Sequence, residues 1–209
     1  ANNDLDMTLL YADVDNGYDG FSIDNNRNTF SNEPGQDTQD SNAASLGWVS
    51  RFDRFAQLEV AASLSQTKVN YGYDEDWAFG EYDENTGDCL VGLGPCLATQ
   101  PGAWGYSSTD EYKRDMDRQS LDVRMVSAED GRIFSATTDW VVGIYGMKRD
   151  EELDRNHSDA SRNLDSELKL SSAAVYSELS TQFTADTRLI YGVRGEQWAN
   201  DYQDYNDIS

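Results

Sequence analysis

The sequence predicts an all-β fold: an antiparallel, up-and-down sheet of about seven strands that forms a segment of a larger transmembrane β-barrel. Three observations predict it. Seven stretches alternate between apolar and polar residues, which is the period of a β-strand with two unlike faces. The connections between these stretches are short and long by turns, and the long ones hold most of the acidic residues.

The first three predicted strands alternate clearly. In Leu5–Ala12, polar Asp6 and Thr8 separate the apolar residues Leu5, Met7, Leu9 and Tyr11. In Ala44–Arg51, the apolar positions are Leu46 and Trp48. In Arg54–Ser65, one face carries Ala56, Leu58, Val60, Ala62 and Leu64, and the other carries Gln57, Glu59, Ser63 and Ser65. We expect the apolar face to contact lipid, because a barrel in a membrane is apolar outside and polar inside.

The last four predicted strands differ in quality. Ser120–Ser127 sets Leu121, Val123 and Met125 on one face, and Arg188–Glu196 does the same with Leu189, Tyr191 and Val193. By contrast, Asp139–Lys148 is apolar on both faces, and Leu168–Leu179 alternates only weakly. The sequence therefore leaves the facing of these two strands open.

The lengths of the connections distinguish the two ends of the predicted sheet. Three are short: the pair Phe52-Asp53, the segment Ala128–Thr138 with its turn Glu129-Asp130-Gly131, and the segment Ser180–Thr187. The long segments are 13–43, 70–119, 149–167 and the tail 199–209. Short turns at one end and long loops at the other are typical of bacterial outer-membrane barrels. We therefore expect one partial barrel domain over residues 1–209, without a plug domain and with the four long segments extracellular.

Charge supports the same division. The chain has 39 acidic and 16 basic residues, and the four long segments contain 28 of the acids and only 7 of the bases. Carboxylates in water cost little, whereas charges on a lipid-facing surface are expensive. A general preference of loops for polar residues explains part of this distribution. The net charge of −23 argues against nucleic acid as a partner, because phosphates would be repelled.

Aromatic residues argue against disorder, which the low apolar content of 38% would otherwise favour. Several are predicted at strand ends: Tyr11, Trp48, Tyr71, Trp140 and Trp198. They fit the aromatic girdle of a membrane barrel, and they equally fit ordinary cross-strand packing.

Two cysteines, Cys89 and Cys96, lie in the segment 70–119. Cysteines so close together in a loop suggest a local disulfide in an oxidising compartment, and two free thiols in an intracellular protein are the alternative. No metal site is expected, because the one histidine, His157, lies in another segment without a ligand motif around it. The sequence has neither a recognisable signal peptide nor a run of apolar residues long enough for a transmembrane helix.

Several segments together resemble TonB-dependent outer-membrane receptors. The matching segments are Asp15–Arg27 (DNGYDGFSIDNNR), Tyr71–Trp77 (YGYDEDW), Thr138–Tyr145 (TDWVVGIY), Ala174–Leu179 (AVYSEL) and Leu189–Arg194 (LIYGVR). Their order and spacing cover nearly the whole chain. In that family a barrel of about 22 strands encloses an N-terminal plug. The chain resembles about a third of such a barrel, and we expect it to be a fragment of a longer receptor.

The resemblance implies active uptake across the bacterial outer membrane. The ligand would be a scarce nutrient such as a siderophore, cobalamin or an oligosaccharide. The implied partners are the plug and the rest of the receptor, a TonB-type energy transducer of the inner membrane, and outer-membrane lipid. No enzyme activity and no catalytic residues are expected. Two other functions remain open: a passive porin-like barrel, and a secreted β-sandwich that binds carbohydrate through Trp77, Trp104 and Tyr106.

Candidate ligand contacts follow the third strand at the long-loop end of the sheet. They are Tyr71, Tyr73, Asp74, Asp76 and Trp77. Aromatic rings there could stack on a sugar or a flat chelating group, and the carboxylates could accept hydrogen bonds. The alternative is that these residues only order the loop or join the outer girdle. No cofactor is expected, although the acidic runs 74–76 and 150–152 could bind calcium in loops or could simply be solvated.

Overall fold

The computed structural model describes residues 2–17, 35–75, 109–158 and 160–205. Seven strands account for most of them: β1 Asn2–Asp15, β2 Gln36–Phe52, β3 Ala56–Asp74, β4 Thr109–Ser127, β5 Thr138–His157, β6 Leu164–Thr184 and β7 Thr187–Tyr205. Two 3-10 turns, Glu129–Gly131 and Ala160–Arg162, complete the regular structure. No helix in these ranges is long and apolar enough to cross a membrane.

The strands form one antiparallel sheet in the order β1-β2-β3-β4-β5-β6-β7. Every strand pairs with its neighbour in sequence, so the prediction of seven antiparallel, up-and-down strands is confirmed. The sheet is not closed, because β1 and β7 are its two edges.

The strands are longer than the sequence predicts. β3 continues from the predicted end at Ser65 to Asp74, and its partner β4 begins at Thr109 rather than at Ser120. β5 likewise continues to His157, and β2 begins at Gln36. Large parts of the segments 13–43, 70–119, 149–167 and 199–209 are therefore strand. These extensions are rich in charge but are still stabilised by the backbone ladder and by cross-strand pairs of opposite charge.

The short connections also differ in detail. The turn after β2 is Asp53–Phe55 rather than Phe52-Asp53, and Asp53 adopts a positive φ of 48°. Between β4 and β5, the 3-10 turn is followed by three successive residues with positive φ: Phe134, Ser135 and Ala136. The Trp140 indole N–H donates to the carbonyl of Gly131 at 2.8 Å, which fixes this connection against the start of β5. The link between β6 and β7 shortens to two residues.

Pairing places the alternating apolar side chains that the sequence predicts in five strands on one face, because residues opposite each other in a ladder share a face. It thereby assigns β5 and β6, which the sequence leaves open: Ile144 lies opposite Val123 and Val175. The face is exposed, with Leu9 at 69% and Val193 at 73%. The only buried apolar residues in the described ranges are Ala56 and Ala174. The described sheet is therefore a single layer that encloses no apolar core.

The other face is polar and closely hydrogen-bonded. Arg124 donates to Glu59 at 2.7 Å, and the Tyr176 hydroxyl donates to both oxygens of Asp122 at 2.9 Å. Two of the predicted girdle residues, Tyr71 and Trp198, lie on this face. Tyr11, Trp48 and Trp140 lie on the apolar face. Only these last three can contact lipid from a barrel wall.

The apolar band runs obliquely across the sheet. In β1 it covers Leu5–Tyr11 and is centred near Met7, whose position in the ladder leads across the sheet to Gln197 of β7. In β7 the band is instead centred on Tyr191. The drift is roughly one residue per strand, which for standard strand rise and spacing corresponds to a strand tilt of about 35°. Strands in outer-membrane barrels have a tilt of this size.

Candidate functional site

The predicted ligand residues separate in the structure. Tyr71 and Tyr73 lie side by side on the polar face of β3, with ring centroids 5.8 Å apart. Asp74, the next residue, is on the opposite face and is only 3% exposed, so it does not join them. Asp76 and Trp77 lie outside the described residues, as do Cys89, Cys96, Trp104 and Tyr106.

Tyr71 and Tyr73 line a cleft on the polar face, near the end of the sheet that carries the long connections. β4 contributes the other wall, because Tyr112 lies directly opposite Tyr71 and Arg114 opposite Val69. The cleft has a volume of about 450 Å³ and its lining consists of Val69, Tyr71, Tyr73, Tyr112, Arg114 and Met116. Three phenol rings, a thioether and a guanidinium form a surface on which a flat or ring-shaped ligand can stack.

A buried carboxylate, Asp110, joins the residues at the end of this cleft that is nearest the long connections. Arg155 donates to both of its oxygens, from Nε at 2.9 Å and from Nη2 at 2.6 Å. The hydroxyl of Tyr112 donates to Asp110 at 2.9 Å and that of Tyr73 at 3.4 Å. The Arg155 guanidinium also lies 5.3 Å from the centre of the Tyr112 ring. Bidentate pairing fixes both partners more firmly than a single contact does, so the two tyrosines are held in defined orientations.

Electrostatics in this cluster depend on the balance between burial and pairing. Burial by itself would raise the pKa of Asp110, but hydrogen bonds from Arg155 and Tyr112 and the charge of Arg155 hold that pKa below its usual range. For Tyr112, burial and the hydrogen bond to Asp110 both disfavour the ionised phenol, and they raise the pKa of Tyr112 to about 12. Asp110 is therefore charged and Tyr112 neutral at physiological pH.

A second cluster joins the ends of β3 and β5. Glu75 forms a hydrogen bond with Nε2 of His157 at 2.8 Å and accepts two bonds from Arg162 Nη1, at 2.9 Å and 3.1 Å. The backbone N–H of His157 donates to Oδ1 of Asn163 at 2.8 Å. These contacts tie the connection between β5 and β6 to the end of β3, beside the cleft.

The acidic run 150–152 lies in strand β5 rather than in a loop. Strand alternation puts Glu151 on the polar face and Asp150 and Glu152 on the apolar side of the sheet, so the three carboxylates diverge. In the described ranges, no group of three or more histidine, cysteine or acidic side chains is arranged to hold a metal ion.

Sequence reasoning missed most of the cleft and its supports. The missed residues are Val69, Asp110, Tyr112, Arg114, Met116 and Arg155. Val69 lies just beyond the predicted end of its strand, and the others lie in strand extensions that were predicted as long connections. A signal was present, since Tyr112, Arg114 and Met116 alternate with the charged residues Lys113 and Asp115, on the face opposite to that of Leu121 and Val123.

No protein-family model matches the sequence, and no curated protein matches it.

Proposed function

We propose that this chain forms part of the barrel wall of a TonB-dependent outer-membrane receptor that takes up a scarce nutrient. The proposal joins the sequence resemblance to the geometry of the sheet. The nutrient would be an iron chelate, cobalamin or an oligosaccharide. The partners of the chain would be a plug, further barrel strands, surrounding lipid and an energy transducer of the inner membrane.

The observation that carries the proposal is the continuous, exposed apolar face that crosses all seven strands. Apolar patches on proteins in water rarely exceed a few hundred Å². A face built from Leu5, Leu46, Leu121, Ile144 and Val193 and their neighbours extends across the whole sheet. Such a face needs an apolar solvent, which a lipid bilayer supplies.

The dimensions of the band support a membrane. From Leu5 to Tyr11 the strand rises about 20 Å, and the end side chains extend the apolar height by a few ångströms. At a tilt of about 35° the band is then roughly 20 Å high along the membrane normal, close to the apolar height of outer-membrane barrels. Strands of 19 to 21 residues, such as β4 and β6, extend well beyond that band. The cleft of Tyr71, Tyr73 and Tyr112 belongs to this projecting part.

The position of the cleft supports a role in ligand contact. It lies on the polar face, which would line the barrel interior, and towards the long connections, which are extracellular in barrels of this kind. A nutrient entering from outside would meet the tyrosines before it reached the membrane level. The paired cluster at Asp110 supplies the rigidity that a binding surface needs.

The two alternative functions, a secreted β-sandwich and a passive porin, differ from the proposal in different ways. In a β-sandwich the apolar face would be packed against a second sheet, whereas the described strands form one sheet. A passive pore would share the lipid-facing band but would not need an energy source. Energy dependence of uptake therefore separates a receptor from a porin.

Uptake and mass together test the proposal. We expect the natural polypeptide to fractionate with the outer membrane, to have an intact mass several times the 23.4 kDa of this chain, and to support growth on a limiting nutrient only while the inner-membrane transducer is present. Tyr73→Ala and Tyr112→Ala should weaken ligand binding, with Phe183→Ala as an aromatic control at the opposite end of the sheet. Uptake that continues without the transducer would favour the porin. A water-soluble natural protein would overturn the membrane assignment.

A further inference from the structure

Two arginines face each other on the polar side of the sheet. They lie next to the tyrosine-lined cleft, on the side of it that is farther from the long connections. Arg118 of β4 and Arg149 of β5 are direct partners in the ladder. Side chains at such positions start about 5 Å apart, and like charges there are destabilising. A chain with 39 acidic and 16 basic residues nevertheless has two cations at this position.

The one carboxylate beside the pair does not neutralise it. Glu151 lies 2.5 Å from Arg149 Nη2 and 3.3 Å from Arg114 Nε, so its two oxygens serve two different arginines. Its side chain is 15% exposed. Arg118 is exposed and forms no ion pair with any other described residue. Three arginines and one glutamate leave two positive charges in this part of the face.

Three other arginines on the polar face each have an acid of their own, whereas Arg188 shares Asp139 with Arg132. Arg51 pairs with Asp4 and Arg124 with Glu59 across the ladder, with nitrogen–oxygen distances of 2.7 Å and 2.6 Å. Arg194 pairs with Glu196 along β7 at 2.9 Å. Asp122, another acid of this face, accepts hydrogen bonds from Tyr176. Among the polar-face arginines of the described strands, Arg118 is thus the one without an acidic partner, and Arg149 shares its glutamate with Arg114.

Hydroxyl groups surround the pair on the β3 side. Ser65 lies opposite Arg118 in the ladder, and the next positions hold Ser63 with Ser120, whose oxygens are 2.7 Å apart. Thr67 follows, within 3.1 Å of Ser41. Hydroxyls can donate to an anion, and two guanidinium groups offer the planar donor pairs that match a carboxylate or a phosphate.

We propose that Arg118 and Arg149 bind a small anion through a carboxylate or phosphate group. The anion supplies the negative charge that this pair lacks, and the serine hydroxyls complete its hydrogen bonding. This inference deepens the proposed function by naming the charge of the ligand. It rests on that function only for the route by which the anion arrives. The binding itself needs neither a plug nor an energy source.

Calorimetric titration of the natural polypeptide in detergent tests the site, with citrate and inorganic phosphate as probes. We expect at least one of the two to bind at millimolar concentration, and Arg118→Gln and Arg149→Gln each to weaken its binding by about tenfold. Lys148→Gln is the matched control, because it removes one positive charge from the adjacent residue of the same strand on the opposite face. It should leave the affinity unchanged.

Thermal unfolding gives a second readout. Without anion, Arg118→Gln should unfold at the same or a higher temperature than the natural protein, because it removes a repulsion. Added anion should raise the midpoint of the natural protein more than that of the variant. Absence of binding by both probes, or equal weakening in Lys148→Gln, would overturn the proposal. Binding without energy-dependent uptake would instead refute only the proposed function, and uptake without anion binding would refute only the site.

Discussion

At the scale of single residues, Asp110 is the most constrained charged group in the described structure. Its side chain is 1% exposed, and it accepts hydrogen bonds from Arg155, Tyr112 and Tyr73. A buried carboxylate is stable only while such partners remain, because desolvation of its charge is costly. Two of the three donors, Tyr73 and Tyr112, also line the cleft, so the same hydrogen bonds stabilise the fold and orient the candidate site.

Replacement of Arg155 by methionine should destabilise the protein by about 2–4 kcal/mol at neutral pH, because it leaves Asp110 buried without its main partner. The folded-state pKa of Asp110 is lowered. Its contribution is therefore present above about pH 4 and is lost as the pH falls through the folded pKa. The deficit of Arg155→Met should shrink over that range.

Urea unfolding in detergent at several pH values measures this difference. Arg54→Met is the control, because the Arg54–Glu129 pair is well exposed, with side chains at 65% and 68%. An exposed pair of this kind contributes little to stability, because water and salt screen its charges. A deficit for Arg155→Met that does not change with pH would show that packing, rather than the charge of Asp110, accounts for the loss.

A glycine in β5 sets the position of Tyr176. A Cβ at Gly143 would lie 2.4 Å from the Tyr176 ring, whose hydroxyl donates to Asp122. Gly143→Ala should therefore displace the ring and cost about 1–3 kcal/mol. Gly146→Ala is the control in the same strand, since the nearest atom there would be 4.0 Å away. Equal unfolding free energies for the two variants would contradict this close contact.

At the scale of elements, β3 presents different chemistry on its two faces. Val60 lies on the apolar face, opposite Trp48 and Val123, whereas Ala61 lies on the polar face, opposite Asp122. Beyond Ser65 the same strand continues into the projecting region and supplies Tyr71 and Tyr73 to the cleft. The alternation is unchanged along the strand, and only the chemistry of its outward face switches from apolar to charged.

An arginine at two neighbouring positions of β3 should distinguish the two faces. We expect Val60→Arg to destabilise the protein by about 2–4 kcal/mol in a bilayer, because the charge would meet lipid near the midplane. Ala61→Arg should cost far less, because its charge would lie on the polar face beside Asp122. Reversible unfolding in lipid vesicles gives both values. A larger cost for Ala61→Arg would reverse the assignment of the faces.

At the scale of the whole molecule, the open sheet has two unpaired edges. β1 and β7 each have a neighbour on one side only, and most residues of both strands are exposed. Unpaired backbone groups cannot remain in the hydrocarbon region of a membrane, because no water is present there to replace the missing hydrogen bonds. In a barrel, further strands would pair with both edges.

Hydrogen exchange should reveal those neighbours. In the 209-residue chain alone, amides of β3 and β4 should be protected, and the outward-facing amides of β1 and β7 should exchange quickly. In the natural polypeptide, reconstituted in lipid, the amides of β1 and β7 should become as protected as those of β3. Rapid exchange at both edges in the reconstituted protein would contradict a barrel wall.

The sequence was enough to locate all seven strands and their antiparallel order, because a period of two and short turns are local properties. Leu58 and Val60 could be placed on one face from the pattern alone. It also singled out Tyr71 and Tyr73 as candidate ligand contacts but placed them beyond a strand end, whereas both lie within β3. Strand ends could not be predicted from charge. Lys68 lies beyond the predicted end of its strand and Asp115 lies in a predicted long connection, and only the ladder shows that the two are paired.

By itself, then, the sequence determined the fold class, the strand order and the division between short and long connections. Tertiary structure alone decided the facing of β5 and β6, the tilt of the apolar band, and the meeting of Asp110 with Arg155 and of Arg118 with Arg149. The physical reason is the register. Alternation specifies what each strand presents to either side, but only hydrogen bonding between strands determines which side chains of different strands lie together.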